Sequence, residues 1–244
     1  MPTVKKATIG IRPLNKMFRV SSLAGVVTDA LIDSRGSQLE EDFFTDASFG
    51  VQQSVLRLAN PVKGNVLLIT HDDLTFTRDL YENEKLFRFE DFAKEFRAIW
   101  DIVNSILKVR NIRRIGYVVE HRFSIKEPSN HIFPKIIKLT KDGQIDNFVL
   151  TYESRTFAEG EKPDIEKANF VNEICSIYDS VKDVEHPEKG FLNVNIDVQR
   201  YFAPAYNGKV SDELLKLYNK DFVPANKTYF EQLKKLGALD GEAK

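Results

Sequence analysis

The residues of this chain best suited to chemistry begin with His71-Asp72-Asp73. Adjacent histidine and aspartate form the core of metal-dependent phosphohydrolase sites, but such sites need further His and Asp ligands on neighbouring elements. Here the trio stands in a break between two apolar runs, where aspartate is favoured for bonding its own backbone, so a turn is expected. In Glu120-His121-Arg122, strand alternation puts Glu120 and Arg122 on one face and His121 on the apolar one. A divalent-metal nuclease wants an acid followed by an acid-x-Lys pair; Tyr152-Glu153-Ser154-Arg155, downstream of Asp142 and Asp146, comes nearest. Arg155 stands where lysine belongs and does not give up its proton, so a solvated or salt-bridged strand face is expected there.

Asp197 lies among Asn193, Asn195 and Gln199 on the polar face of an alternating segment, where it either binds a ligand or caps a neighbouring turn; the structural role is favoured. Cys175 has no histidine near it in sequence and reads as a buried, inert thiol. The densest basic run is Lys108-Val109-Arg110-Asn111-Ile112-Arg113-Arg114, with Arg122 eight residues further on. Arg110, Arg113, Arg114 and Arg122 are the candidate nucleic-acid-binding residues: they would neutralise phosphates, with Tyr117 near enough in sequence to stack a base. Helix C-termini attract cations in any case, so the run has a structural reading too. Neither Gly-rich phosphate loop occurs, nor a G-x-S-x-G elbow, and no catalytic residue, metal site or small-molecule cofactor is assigned.

The elements that must position these residues alternate between two periods. Phe89, Phe92, Phe96, Ile99, Trp100, Val103 and Leu107 recur at helical spacing, with Glu90 and Asp91 early and Lys108 late, as the helix dipole favours. Before this helix, Ser54–Ala59, Val66–Thr70 and Leu74–Arg78 read as an antiparallel meander. After it, Ile115, Tyr117, Val119, His121 and Phe123 alternate with polar residues as in a half-buried strand. Phe18-Arg19-Val20 reads as extended, and Leu23–Ile32 as a short helix capped by Ser21 or Ser22. The polar stretch Lys126–His131 is the expected boundary between a first half, 1–126, and a second, 127–244. In the second half, Ile136–Leu139 and Phe148–Tyr152 read as a hairpin about Lys141-Asp142-Gly143. Phe170–Val181 fits either a helix or a strand, Phe191–Phe202 a strand, Ser211 caps a first C-terminal helix and Pro224 opens or kinks a second, with a frayed tail after Gly237. The class expected is α+β: two halves, each an antiparallel β-sheet packed against one or more amphipathic helices.

The run from Leu74 through the long helix to Ile112-Arg113-Arg114-Ile115-Gly116-Tyr117-Val118-Val119-Glu120-His121-Arg122-Phe123 resembles the R-I-G-hydrophobic-R-Y helix-to-strand signature of a sporadically distributed prokaryotic family of unsettled function. Phe191–Val198 and the helical segments from Ser211 to Leu236 echo that family's late L-x-I-D strand and C-terminal helical hairpin. The resemblance implies an accessory or defence-type gene and no particular chemistry.

Composition narrows the partners. Across 244 residues, 35 Lys and Arg offset 36 Asp and Glu, so a nucleic-acid or membrane partner would need a local patch. One cysteine and the absence of an apolar stretch of membrane-spanning length fit a reducing, cytoplasmic setting. The 18 Phe and 8 Tyr supply more apolar anchors than one core obviously needs. The function expected is therefore a non-catalytic accessory protein that binds a partner protein or itself. Nucleic-acid binding through Arg110–Arg114 is the alternative, and a metal-dependent nuclease a more distant one.

Overall fold

In the computed structural model, which describes residues 3–33, 39–50, 55–80, 87–126, 128–137, 148–179, 189–237 and 239, the chain runs β1 (Thr3–Pro13), α1 (Arg19–Ile32), β2 (Asp46–Phe49), β3 (Leu56–Asn60), β4 (Asn65–Ile69), β5 (Leu74–Asp79), α2 (Phe89–Leu107), β6 (Ile112–Lys126), α3 (Pro128–Ile136), β7 (Val149–Phe157), β8 (Phe170–Asp179), β9 (Lys189–Tyr206), α4 (Val210–Leu217), a π-helical turn (Tyr218–Phe222) and α5 (Val223–Lys235). The strands form one nine-stranded sheet in the order β2-β3-β4-β5-β1-β6-β9-β8-β7, with every pairing antiparallel. The α+β class holds. The strands of 1–126 and of 127–244 meet along β6 and β9, paired from Ile112↔Tyr206 to Lys126↔Lys189, and one hydrophobic cluster runs through both.

Strand alternation decides which face the helices cover. On β1, Ala7, Ile9 and Ile11 are buried, and on β6 Ile115, Tyr117, Val119, His121 and Phe123 point the same way. The apolar stripe of α2 (Phe92, Phe96, Ile99, Trp100, Val103, Leu107) lies on this face, with Phe92 stacked on Phe76 of β5 at 5.0 Å. Tyr117 meets Tyr218 and Phe222 of the π-helical turn, and Phe123 meets Phe230 of α5. Each such aromatic, fully buried, contributes about 1.5–3 kcal/mol relative to exposure. Register depends on tight turns: Gly64 sits at φ 69°, and a Cβ there would lie 2.0 Å from the Asp79 carbonyl oxygen.

Several local expectations change. Phe18-Arg19-Val20 is not extended: α1 starts at Arg19, two residues ahead of Ser21, because Val20, Ala24, Val27 and Leu31 make a buried helical stripe that begins before the serines. No side chain caps it, since Ser22 donates back to the Arg19 carbonyl and Ser21 Oγ bonds His71 Nε2. The polar stretch at Lys126–His131 leads into α3, which Pro128 opens with its preset φ and Ile132 anchors in the core. Ile136 closes that helix instead of opening a hairpin strand, and β7 takes β8 as its partner; Lys138, Leu139 and the turn at Lys141-Asp142-Gly143 lie outside the described residues. Phe170–Asp179 is a strand, fixed by ladders to β7 on one side and β9 on the other. Lys209, not Ser211, stands at the N-cap of α4, and Pro224 lies in the first turn of α5, which follows the π-helical turn without a break. None of the helices is long and apolar enough to cross a membrane, among the described residues.

Candidate functional site

The trio at His71 is a turn. Thr70 Oγ1 accepts from the amides of Asp72 and Asp73, and His71 ties the turn to α1 through Ser21, 2.8 Å away, and the Phe18 ring. Asp73 has a second role: its carboxylate takes Nε and Nη2 of Arg12 at 2.7 and 2.5 Å, and Nη2 of Arg114 at 3.5 Å. Arg114 also donates to Gln199 and to the Tyr201 hydroxyl, both at 3.2 Å. Asp73 is thereby committed as a counter-ion, and Arg114 is held on the strand face remote from the helices.

The four candidate arginines do not form one group, although Arg113 and Arg114 both lie over the Tyr201 ring, at 5.8 and 5.7 Å. Arg113 donates to the Phe202 carbonyl and, at 2.6 Å, to that of Ile165, which fastens the β7–β8 connection to β9. Arg122 donates to Asn193 at 3.2 Å and lies 4.7 Å over the Phe191 ring. Its eight-residue offset from Arg114 along β6 separates the two by about 26 Å. Tyr117, the expected stacking ring, is buried and donates to the Leu214 carbonyl. Arg110 alone of the four is exposed with no hydrogen bond or ion pair among the described residues.

Around Arg110 the structure assembles a different basic set. Residues 108–111 leave α2 by an abrupt route: Lys108 and Asn111 both adopt the left-handed conformation, at φ 55° and 58°. The Asn111 amide bonds Asn207 Oδ1 at 3.0 Å and its carbonyl accepts from Leu14, so the loop is fastened on both sides. One flank is a cleft of about 450 Å³ between the end of α2 and the start of α4, where Lys108, Arg110 and Lys209 face a single acid, Asp101. The other flank, about 270 Å³, shares Lys108 and Arg110 and adds Lys16, Arg19 and the ring of Phe18, which is 68% exposed. Lys16 pairs with Asp72 at 3.6 Å and Arg19 donates to the Leu107 carbonyl, whereas Lys108, Arg110 and Lys209 have no acidic partner among the described residues. Lys16, Arg19 and Lys209 carried no sequence signal, because their proximity to Arg110 arises only when β1 and β9 flank β6.

The remaining candidates are separately accounted for. Glu153 bonds Arg155 at 2.8 Å, and Arg155 with Asn172 draws its carboxyl below the usual range; Asp142 and Asp146 lie outside the described residues. Burial lowers His121 to about 4 against a hydrogen bond with Asn226, so the ring is neutral at neutral pH. Cys175, on β8 opposite Tyr152 of β7, is buried, and burial pushes its thiol up to about 11. Asp197 receives Nε2 of Gln199 at 2.5 Å, and burial raises its carboxyl to about 6 while Gln199 and Arg114 pull it back. Among the described residues, no three His, Cys, Asp or Glu side chains lie together as metal ligands would. No protein-family model, curated protein or solved structure matches the chain.

Proposed function

We propose that this chain is a non-catalytic accessory protein that holds a nucleic-acid strand on the basic loop between α2 and β6. The observation that carries the reading is the unpaired state of Lys108, Arg110 and Lys209 around one cleft, among the described residues. Unpaired surface cations concentrated at a concave site attract phosphate and release its counter-ions. Phe18, exposed beside the same loop, offers a face for base stacking, the arrangement that single strands favour. Arg113, Arg114 and Arg122 serve this reading only as scaffold. The likeness of Leu74–Phe123 to the sporadic prokaryotic family adds the accessory setting. The sheet order supports treating 1–126 and 127–244 as two halves, since β1–β6 and β7–β9 each occupy contiguous positions; the first half supplies the loop and the second Lys209.

Fluorescence anisotropy with labelled single-stranded DNA and RNA across a salt series tests it. With three to five phosphate contacts, log K should fall against log salt with a slope of about −2 to −3.5. Lys108→Glu with Arg110→Glu should abolish binding, whereas Arg122→Glu should leave it within about twofold. Absent or salt-independent binding overturns the proposal.

A second reading, a partner protein, is favoured by β7. This nine-residue strand is the outermost of the sheet and largely exposed, and strand addition at an edge is a common mode of peptide capture. Light scattering after size exclusion, with a pull-down from the native host, separates the readings: a strict monomer without a co-purifying protein counts against this one.

A further inference from the structure

Of the two outer strands of the sheet, β2 is four residues long and is followed by Gly50 at φ 67°, whereas β7 runs for nine residues and is exposed along most of its length. Short edges resist further pairing and long ones invite it. β7 also carries neither proline nor lysine, residues that commonly blunt an edge. At one end of the β7–β8 ladder the Asp179 amide donates to the Phe148 carbonyl, and at the other the Ala158 amide donates to the Asn169 carbonyl, both at 3.1 Å. The register between them is unbroken, so Leu150, Tyr152, Ser154 and Thr156 use their backbone groups on β8. The amides and carbonyls of Thr151, Glu153, Arg155 and Phe157 therefore point out of the sheet, and among the described residues no strand receives them.

Tyr152 meets Tyr229 of α5, which puts Glu153 and Arg155 on the sheet face away from the helices. These two residues, of opposite charge and 2.8 Å apart, stand at the middle of the outward set. We propose that β7 pairs antiparallel with β7 of a second copy of this chain, about a two-fold axis at Ser154, and so joins two sheets edge to edge. In that register Glu153 of each copy lies opposite Arg155 of the other, and Thr151 opposite Phe157, all four being positions whose backbone groups face outward. About eight backbone hydrogen bonds result. The charges also select the register. The nearest shifts that keep outward groups matched set Glu153 against Glu153 in one direction and Arg155 against Arg155 in the other, and like charges directly opposite are destabilising. Shifting by a single position sets outward groups against groups already bonded to β8. Strands that overlap only over 151–157 make less than a standard interface, so the dimer is expected to depend on concentration. The pairing rests on the reading of β7 as an edge that receives protein, and it shares no residue with the basic loop.

Light scattering and sedimentation of the full chain across a concentration series test the pairing. The parent should pass from one chain to two as concentration rises. Glu153→Arg and Arg155→Glu should each weaken self-association by at least about tenfold, because every substitution acts twice across the axis. An equimolar mixture of the two variants should recover a dimer, since each supplies the charges that the other lacks, and recovery requires that both are folded. On mild oxidation Ser154→Cys should link two chains and Thr151→Cys should not: facing non-bonded positions lie about 4.5 Å apart, within disulfide reach, whereas Thr151 lies about 20 Å from its own copy. The proposal is overturned by the mass of one chain at every concentration, by a dimer indifferent to both charge reversals, or by a mixture that stays unpaired together with a Ser154→Cys chain that stays unlinked. A one-chain mass with a host protein that co-purifies, and is lost on Arg155→Glu, sinks the pairing but leaves the wider reading of β7 standing; with nothing co-purifying, both fall.

Discussion

Arg12 and Arg114 lie directly opposite each other on β1 and β6, and both donate to the single carboxylate of Asp73. Two like charges facing across an antiparallel pair repel, and Asp73 converts that repulsion into a bridge spanning the β4–β5 turn, β1 and β6. Arg12 is held above the ordinary arginine value, chiefly by its hydrogen bond to Asp73. Asp73→Ala should therefore lower stability by about 1–3 kcal/mol, because it removes the bond and leaves the guanidiniums facing each other. Thermal denaturation checks this, and the cause is separable from simple loss of packing: raising salt to 1 M should narrow the gap to the parent, since screening weakens the Arg12–Arg114 repulsion. A salt-independent gap contradicts the electrostatic account.

Lys108 closes α2 in the left-handed conformation that glycine ordinarily takes at this position. A lysine there costs about 1 kcal/mol in backbone strain. Lys108→Gly should raise the melting temperature by a few degrees while weakening single-strand binding and reducing the salt slope by about 0.7. Opposite movement of stability and binding is the signature of a residue retained for its charge. If Lys108→Gly lowers stability, the side chain contributes packing outside this account.

The Cys175 thiol should resist alkylation in the folded protein. It is buried, and burial raises it to about 11, so the thiolate that reacts with iodoacetamide is scarce at neutral pH. Mass spectrometry should find it unmodified after native treatment and fully modified in denaturant. Comparable labelling in both conditions would mean that α5 lifts from β7 and β8 on the timescale of the reaction.

How much of this was legible in the sequence depends on whether each signal was local. The α2 stripe from Phe89 to Leu107 and the β6 alternation around Tyr117 carry their period within one element, and the structure has both where the spacing predicts them. Phe170–Val181 was ambiguous because its aromatic and β-branched residues suit either period; long-range ladders to β7 and β9 decide Phe170–Asp179. Within Lys126–His131 the local signal was polarity and a proline, and that Pro128 would open α3 was not legible from it, since proline opens helices as readily as it ends them. Among site residues, Arg110 was visible as part of a basic run, but the roles of Arg113 and Arg114 were not, because their acceptors, the carbonyls of Ile165 and Phe202 and the side chains of Gln199, Tyr201 and Asp73, lie more than forty positions away. Asp197 was recognisable as a polar-face residue among asparagines. That its oxygen, with those of Asn172 and Asn195, would lack a donor follows only from the β8–β9 register.

Acid stability should be set by two buried groups of opposite sign. Burial raises Asp197 from 3.8 to about 6, with Gln199 and Arg114 opposing. The folded state therefore binds a proton that the unfolded state releases, and this contribution is fully present below about pH 3.8 and lost as pH rises through about 6. His121 runs the other way: burial lowers it from 6.5 to about 4, so its contribution is present above about pH 6.5 and lost as pH falls through about 4. In the parent protein the two nearly cancel between pH 6.5 and 4, and single variants should expose each. Asp197→Asn should be more stable than the parent at pH 7, by about 3 kcal/mol, with the difference nearly gone at pH 4. His121→Gln, which retains a donor for Asn226, should spare the protein most of the roughly 3 kcal/mol that His121 withdraws on acidification. Urea denaturation at pH 4, 5, 6 and 7 measures both. A parallel pH profile for Asp197→Asn and the parent would show that the carboxyl is not held protonated by burial.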